Sequence, residues 1–163
     1  MGTKVLVVDD DEVVEALANA DLPGGPSEIV REASPRAAPG LVTREDFDLV
    51  VCDLDRGAPH AVALCRQVAA LREGTPVILT SAAASVEAAV DAFRAGAHDF
   101  VTKPCDPETL VARVQRALAR RTVHEDVKRL RRIDDLPRGF DGIVGDSPAM
   151  TSMYDLVLRV ADR

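Results

Sequence analysis

Nowhere does this sequence hold the roughly 18 consecutive apolar residues that a membrane-spanning helix needs. Its opening MGTK leads straight into a first strand, without the apolar centre of a signal peptide. Both absences predict a cytoplasmic protein with no membrane partner. Positive charge is also short: 20 Lys and Arg stand against 27 Asp and Glu, for a net charge of −7. Phosphate backbones attract basic surfaces, so the bulk of the chain is not built to hold nucleic acid. Cys52, Cys65 and Cys105 are scattered, without the spacing of a metal site. They read as small apolar side chains in a reducing compartment.

What is present is a soluble globular composition, 47% hydrophobic and 29% charged over 163 residues. That length suffices for one domain with a full core and a short appendage. The first unusual stretch is VLVVDDD, in which the apolar run Val5–Val8 meets Asp9, Asp10 and Asp11. Adjacent like charges raise one another's pKa and cost stability. A divalent cation, a lysine or a helix N-terminus must compensate.

Periodicity alternates strand and helix. Val5–Val8 reads as a strand and Glu12–Ala20 as a helix, which PGGP at Pro23–Pro26 breaks. Ile29 and Val30 mark an edge-like second strand. Ser34-Pro35 looks like a helix start, but Pro39 and Gly40 leave room for only a short or distorted helix before Leu41. FDLVVCD (Phe47–Asp53) is a third strand, followed by a helix over Ala61–Leu71. PVILTS (Pro76–Ser81) is a fourth strand, Val86–Ala95 a helix closed by Gly96, and Asp99–Thr102 a fifth strand. Asp106 and Pro107 then open a long helix. Five strand–helix repeats predict an α/β fold, a parallel sheet covered on both faces with right-handed crossovers.

In open sheets of this kind ligands bind beyond the carboxyl ends of the strands. The polar residues expected there are Asp9 and Asp10 after strand one, Asp53 and Asp55 after strand three, Ser81 after strand four and Lys103 after strand five. Carboxylates from two strand ends suit Mg²⁺, a hard cation that takes oxygen ligands. A metal, a lysine and a nucleophilic carboxylate are the equipment for phosphoryl transfer to an aspartate. Asp11 reads as a helix N-cap.

The ordered set VLVVDD, FDLVVCD, PVILTS and AGAHDFVTKP resembles the receiver domain of two-component response regulators, over roughly Lys4 to Arg121. The resemblance implies a flavodoxin-like, doubly wound sheet of order 2-1-3-4-5. It implies that Asp53 is the phospho-acceptor and that Asp9 and Asp10 are the metal-binding pair. Asp55 matches the position whose backbone carbonyl completes the metal's coordination. Ser81 matches the switch hydroxyl and Phe100 the switch aromatic. Lys103 and Pro104 match a Lys-Pro pair that is often joined by a cis peptide. The donor implied is a phosphohistidine on a sensor histidine kinase. Arg56 and Gly57 replace the family's Met-Pro, Ala61 stands at its usual glycine, and Asp55 adds a fourth carboxylate. A degenerate receiver, dimerising without phosphorylation, is the alternative this altered loop raises. DLD (Asp53–Asp55) also resembles the Asp-x-Asp of haloacid-dehalogenase-like phosphohydrolases. There, however, the acidic pair follows the Asp-x-Asp rather than preceding it, and no cap insertion is visible here.

The C-terminal third reads differently. PETLVARVQRALARRTVHEDVKRLRR runs without a further Gly or Pro from Pro107 to Arg132, and Val123, Val127 and Leu130 have coiled-coil spacing. Residues 122–139 are therefore expected to form a helical linker that dimerises, after a receiver at 1–121. Its six basic against two acidic residues over Arg120–Arg132 fit a domain-linking helix better than a nucleic-acid arm. After Pro137-Arg138-Gly139, residues 140–163 resemble the start of the AAA+ ATPase domain of sigma-54-dependent, NtrC-type activators, through a Gly-x-Ser-Pro-x-Met segment that begins at Gly145. No GK[ST] loop is reached, so this chain is expected not to be an ATPase. It reads as a regulatory piece that controls a partner AAA+ domain and, through it, sigma-54 RNA polymerase.

Overall fold

A computed structural model describes residues 2–83 and 85–134. The expectations for Asp135 onward, the end of the linker and the AAA+ segment included, lie outside the described residues. The first compact unit, Met1–Thr122, is an α/β sandwich. Its strands are β1 (Lys4–Val8), β2 (Glu28–Arg31), β3 (Leu49–Asp53), β4 (Val77–Ser81) and β5 (Asp99–Thr102), all paired in parallel in the order β2-β1-β3-β4-β5. Helices α1 (Asp11–Ala18), α2 (Ala38–Arg44), α3 (Ala58–Leu71), α4 (Val86–Arg94) and α5 (Pro107–Asp134) alternate with them. The parallel, two-faced sheet is the one expected from the repeat pattern, and its order is the flavodoxin-like one that the receiver resemblance implies.

The central strands are apolar throughout because both sheet faces are covered. On one face Leu6, Val8, Val50, Cys52, Val77 and Leu79 pack under α2, α3 and α4. On the other Val5, Val7, Leu49, Val51 and Ile78 pack against Val13 and Leu17 of α1 and Leu110 and Val114 of α5. Cys52 and Cys65 are buried among these side chains, and burial pushes their thiols up to about 12 and about 11. They behave as the small apolar residues expected.

Two local expectations are corrected. The helix expected to finish before Leu41 instead begins at Ala38 and runs through Pro39 and Gly40 to Arg44. Pro39 lies in its first turn, where a missing N–H breaks no helical bond, while Ser34 closes a turn upstream through its carbonyl and hydroxyl. Asp11 is not the cap of α1. Asp10 is, its carboxylate accepting the Val13 amide at 3.2 Å, while Asp11 sits inside the helix and pairs with Arg31.

Asp99, at the start of β5, ties that edge strand to α5. Both its oxygens accept Arg113 Nη1 at 2.9 Å, and Arg116 adds a bond of 3.3 Å. Burial works to raise its pKa, but the Arg113 bonds and the Phe100 amide outweigh it and hold the carboxyl below the usual range. A lowered folded-state pKa contributes stability that is present above the unfolded value and lost as pH falls through the folded one. Because the arginines are partly exposed, Asp99→Asn is expected to cost only about 1 kcal/mol at pH 7. Urea midpoints taken across pH should show that gap constant above about pH 5 and closing below about pH 4.

The second unit begins at Val123, and its described residues continue helical to Asp134. Val123 and Val127 are exposed there. No helix among the described residues is long and apolar enough to cross a membrane.

Candidate phosphoryl-acceptor site

Register gathers the site. Val8 pairs with Cys52, Asp53 with Thr80 and Ser81 with Thr102, so the polar residues beyond β1, β3, β4 and β5 emerge at one edge. The Lys103–Pro104 peptide is cis, and the Lys103 amide donates to the Ser81 carbonyl at 2.8 Å. Lys103 Nζ lies among three carboxylates: it bonds Asp9, reaches Asp10 at 3.0 Å and reaches Asp53 at 3.1 Å.

Asp9 is fully buried, and burial pushes its pKa up against the opposing bonds from Lys103, Thr80 and the Asp10 amide. For Asp10, burial is outweighed by Lys103 and the Val13 amide, which hold its carboxyl below the usual range. Burial would lower the Lys103 pKa, but its bonds to Asp9, Asp10 and Asp53 carry it well upward, so it stays charged. One lysine therefore answers most of the repulsion that VLVVDDD creates. Arg56 answers part of the rest, 3.9 Å from Asp53, with its guanidinium also donating to the Ala33 carbonyl.

Asp9, Asp10 and Asp53 each offer an oxygen within 4.8 Å of the others. An all-oxygen set of that size, at a solvent-facing sheet edge, fits Mg²⁺. Asp53 itself is buried, and its Oδ1 accepts the Asp55 amide at 2.9 Å, starting a single 3-10 turn, Leu54–Arg56. Gly57 ends that turn at φ +143, a backbone that side-chain-bearing residues rarely adopt. The turn aims Asp55 across to β4, where its carboxylate accepts Ser81 Oγ at 2.8 Å and the Ala82 amide at 2.6 Å. Phe100 is half-buried and packs on the core of the α2–α3–α4 face.

Asp9, Asp10, Asp53, Asp55, Ser81 and Lys103, named from sequence, thus share one site, with Phe100 on the neighbouring strand. Sequence reasoning missed two participants. Thr80, fully buried, donates to Asp9 Oδ2 at 2.6 Å, and its signal was a hydroxyl placed just before Ser81 in the otherwise apolar strand VILTS. Arg56 was noted as a departure, not as a cation facing Asp53.

The family model "response regulator receiver domain" matches residues 5–115. This chain belongs to the response regulator receiver family. The receiver is 34% identical over 157 residues to the transcriptional regulatory protein ZraR of Escherichia coli (strain K12), covering 96% of this chain and 34% of ZraR. It is 33% identical over 163 residues to the response regulator protein FleR of Pseudomonas aeruginosa, covering 99% of this chain and 31% of FleR. Among solved structures, NtrX from Brucella abortus in complex with ADP matches with a TM-score of 0.68 at 28% identity, over 99% of this chain and 36% of NtrX. The chain spans about a third of the length of these relatives. The resemblance to the receiver of an NtrC-type regulator, read from the receiver motifs together with the segment that begins at Gly145, holds.

Proposed function

We propose that Asp53 accepts a phosphoryl group, with Lys103 and Ser81 as its attendants. The observation that carries this is the ring itself: a buried carboxylate at a strand end, bonded to a lysine and grouped with two further carboxylates, with Ser81 one position beyond its register partner on β4. An Asp53 oxygen attacks phosphorus and forms the new P–O bond. The P–N bond of a phosphohistidine donor breaks, and the imidazole leaves with the bonding pair. Lys103 holds the Asp53 carboxylate in place and offers its charge to the incoming phosphoryl oxygens. Asp9, Asp10, Asp53 and the Asp55 backbone carbonyl are the residues that would hold Mg²⁺. When bound, that ion supplies Lewis-acid neutralisation of phosphoryl charge.

The phosphoryl group adds about two negative charges to the sheet edge. Ser81 and Phe100 are proposed to carry the change outward, as a population shift between two states. The kinase partner, a homodimer formed along the helix after Thr122, and control of an AAA+ domain that engages sigma-54 RNA polymerase in the cytoplasm belong to the same proposal. The exposed Val123 and Val127 support the dimer. A phosphorylation-independent module stands as the second reading, because Asp55 already occupies Ser81. The phosphohydrolase reading loses ground at the same residue. Its general acid would be Asp55, whose carboxyl the Ala82 amide and Ser81 hydroxyl hold below the usual range, and so ionised.

Incubation with acetyl phosphate and Mg²⁺, followed by intact-mass measurement, tests this. One adduct, lost with EDTA, is expected. No adduct and no released phosphate would sink phosphoryl acceptance, and steady phosphate release would restore the hydrolase.

A further inference from the structure

A phosphoryl group on Asp53 carries three oxygens, each a strong hydrogen-bond acceptor. Besides the Arg56 guanidinium, which lies 3.9 Å from Asp53 and donates to the Ala33 carbonyl, the donors at this strand edge are Lys103 Nζ, the Ser81 hydroxyl and the Ala82 amide. Lys103 is directed at Asp53. The other two are already satisfied, both by the Asp55 carboxylate, one oxygen to each donor at 2.8 and 2.6 Å. Ser81 Oγ also accepts the Ala83 amide at 3.1 Å, which fixes the hydroxyl's direction and leaves its one proton for Asp55. Ser81 is buried, so solvent offers that hydroxyl little competition.

Resting on the reading of Asp53 as acceptor, we propose that the Asp55 carboxylate is an internal stand-in for phosphoryl oxygens. It holds the Ser81 hydroxyl and Ala82 amide in their engaged arrangement before any phosphoryl group arrives, and a phosphoryl group must displace it. The local chain is shaped for this. Asp53 Oδ1 captures the Asp55 amide, the 3-10 turn sets the side chain's direction, and Gly57 releases the chain into α3. A carboxylate has the charge sign and planar oxygen pair to fill two of a phosphoryl group's acceptor positions. It sits on the β3 end, two residues from the atom that would be phosphorylated, so the two cannot share the donors and their like charges oppose each other.

Two consequences separate this role from that of a solvated surface acid. The β4 end has its phosphoryl-type bonds without phosphate, and uptake at Asp53 is slowed by the need to expel Asp55. The test compares wild type with Asp55→Ala and Asp55→Asn in the full chain, Asp55 being exposed so that neither change opens the core. The first readout is the ¹H–¹⁵N shift of the Ala82 amide without Mg²⁺ or phosphoryl donor. It should lie far downfield in wild type, move upfield in D55A, and fall between the two in D55N, which keeps one acceptor oxygen. The second readout is the rate of adduct formation from acetyl phosphate with Mg²⁺, expected to be about tenfold faster in D55A. Addition of both reagents should return the D55A amide downfield as the adduct forms.

An Ala82 amide that does not move in D55A, or an uptake rate no faster than wild type, overturns the proposal. Should no variant form an adduct, phosphoryl acceptance itself fails. The Ala82 shift then decides alone whether Asp55 holds these donors.

Discussion

Asp53→Asn is expected to abolish the phosphoryl adduct and, in the same protein, to raise the stability of the unphosphorylated fold. The chemical loss is complete because a carboxamide oxygen is too weak a nucleophile to open a phosphoryl donor, and no neighbour replaces it. Asp9 is buried behind Thr80 and Lys103, and Asp10 is committed to capping α1. The gain in stability follows from charge. Three carboxylates crowd one lysine, and Asp53 is almost wholly withdrawn from water. Asparagine can still accept the Asp55 amide through its Oδ1, so the 3-10 turn survives while one buried negative charge disappears. About 1 kcal/mol is a fair scale for relieving like-charge repulsion at a half-screened edge. Intact mass after acetyl phosphate and Mg²⁺ reads the first effect, and a urea midpoint without Mg²⁺ reads the second. An adduct that persists in the variant would move the acceptor to another residue. A midpoint that falls would mean that Asp53 is bound more strongly by Lys103 and Arg56 than it is repelled by Asp9 and Asp10.

The fold was legible because its strands are buried on both faces. A run such as VLVV or LVVCD needs no alternation when helices cover each side, and Gly and Pro punctuate the segments between. The site was legible for a related reason: in parallel α/β sheets, chemistry collects where strands end, and strand ends are readable. What could not be read depended on one-residue choices or on distance. Asp10 and Asp11 both satisfy the spacing of a cap, and only the exit direction of β1 chooses Asp10. Pro39-Gly40 looks like a break, yet both residues fit a first helical turn. The bond between Asp55 and Ser81 crosses 26 positions of sequence. It depends on the φ of Gly57 and on the register of β3 against β4, neither of which a motif records. Asp55 was expected to contribute its backbone carbonyl, and nothing in DLD indicates that its side chain turns to β4. Thr80 was hidden in the same way, since it acquires its role only through Asp9 beyond another strand, whereas Arg56 faces Asp53 because the 3-10 turn folds it back over three residues.

Lys103→Met is expected to act on stability in the opposite direction to Asp53→Asn, and that opposition tests how the VLVVDDD carboxylates are balanced. Methionine keeps much of the lysine stem's volume but removes the cation that bonds Asp9, Asp10 and Asp53 together. Asp9 is fully buried and would keep only Thr80 and the Asp10 amide. Breaking a buried pair from one side leaves an uncompensated charge, at a cost of about 3 kcal/mol. That is a large part of the 5–15 kcal/mol typical of a whole domain. Phosphoryl uptake should fall by about 100-fold, the scale of losing one preorganised electrostatic contact to a developing charge. Millimolar Mg²⁺ should raise the thermal midpoint of Lys103→Met by more than that of wild type, because a divalent cation then meets three carboxylates that have lost their shared lysine. In Asp53→Asn, which lacks one of the three ligands, the Mg²⁺-induced rise should shrink. Equal Mg²⁺ responses in all three proteins would mean that the cation does not bind among Asp9, Asp10 and Asp53. Lys103, with Arg56 beside Asp53, would then be their counter-charge.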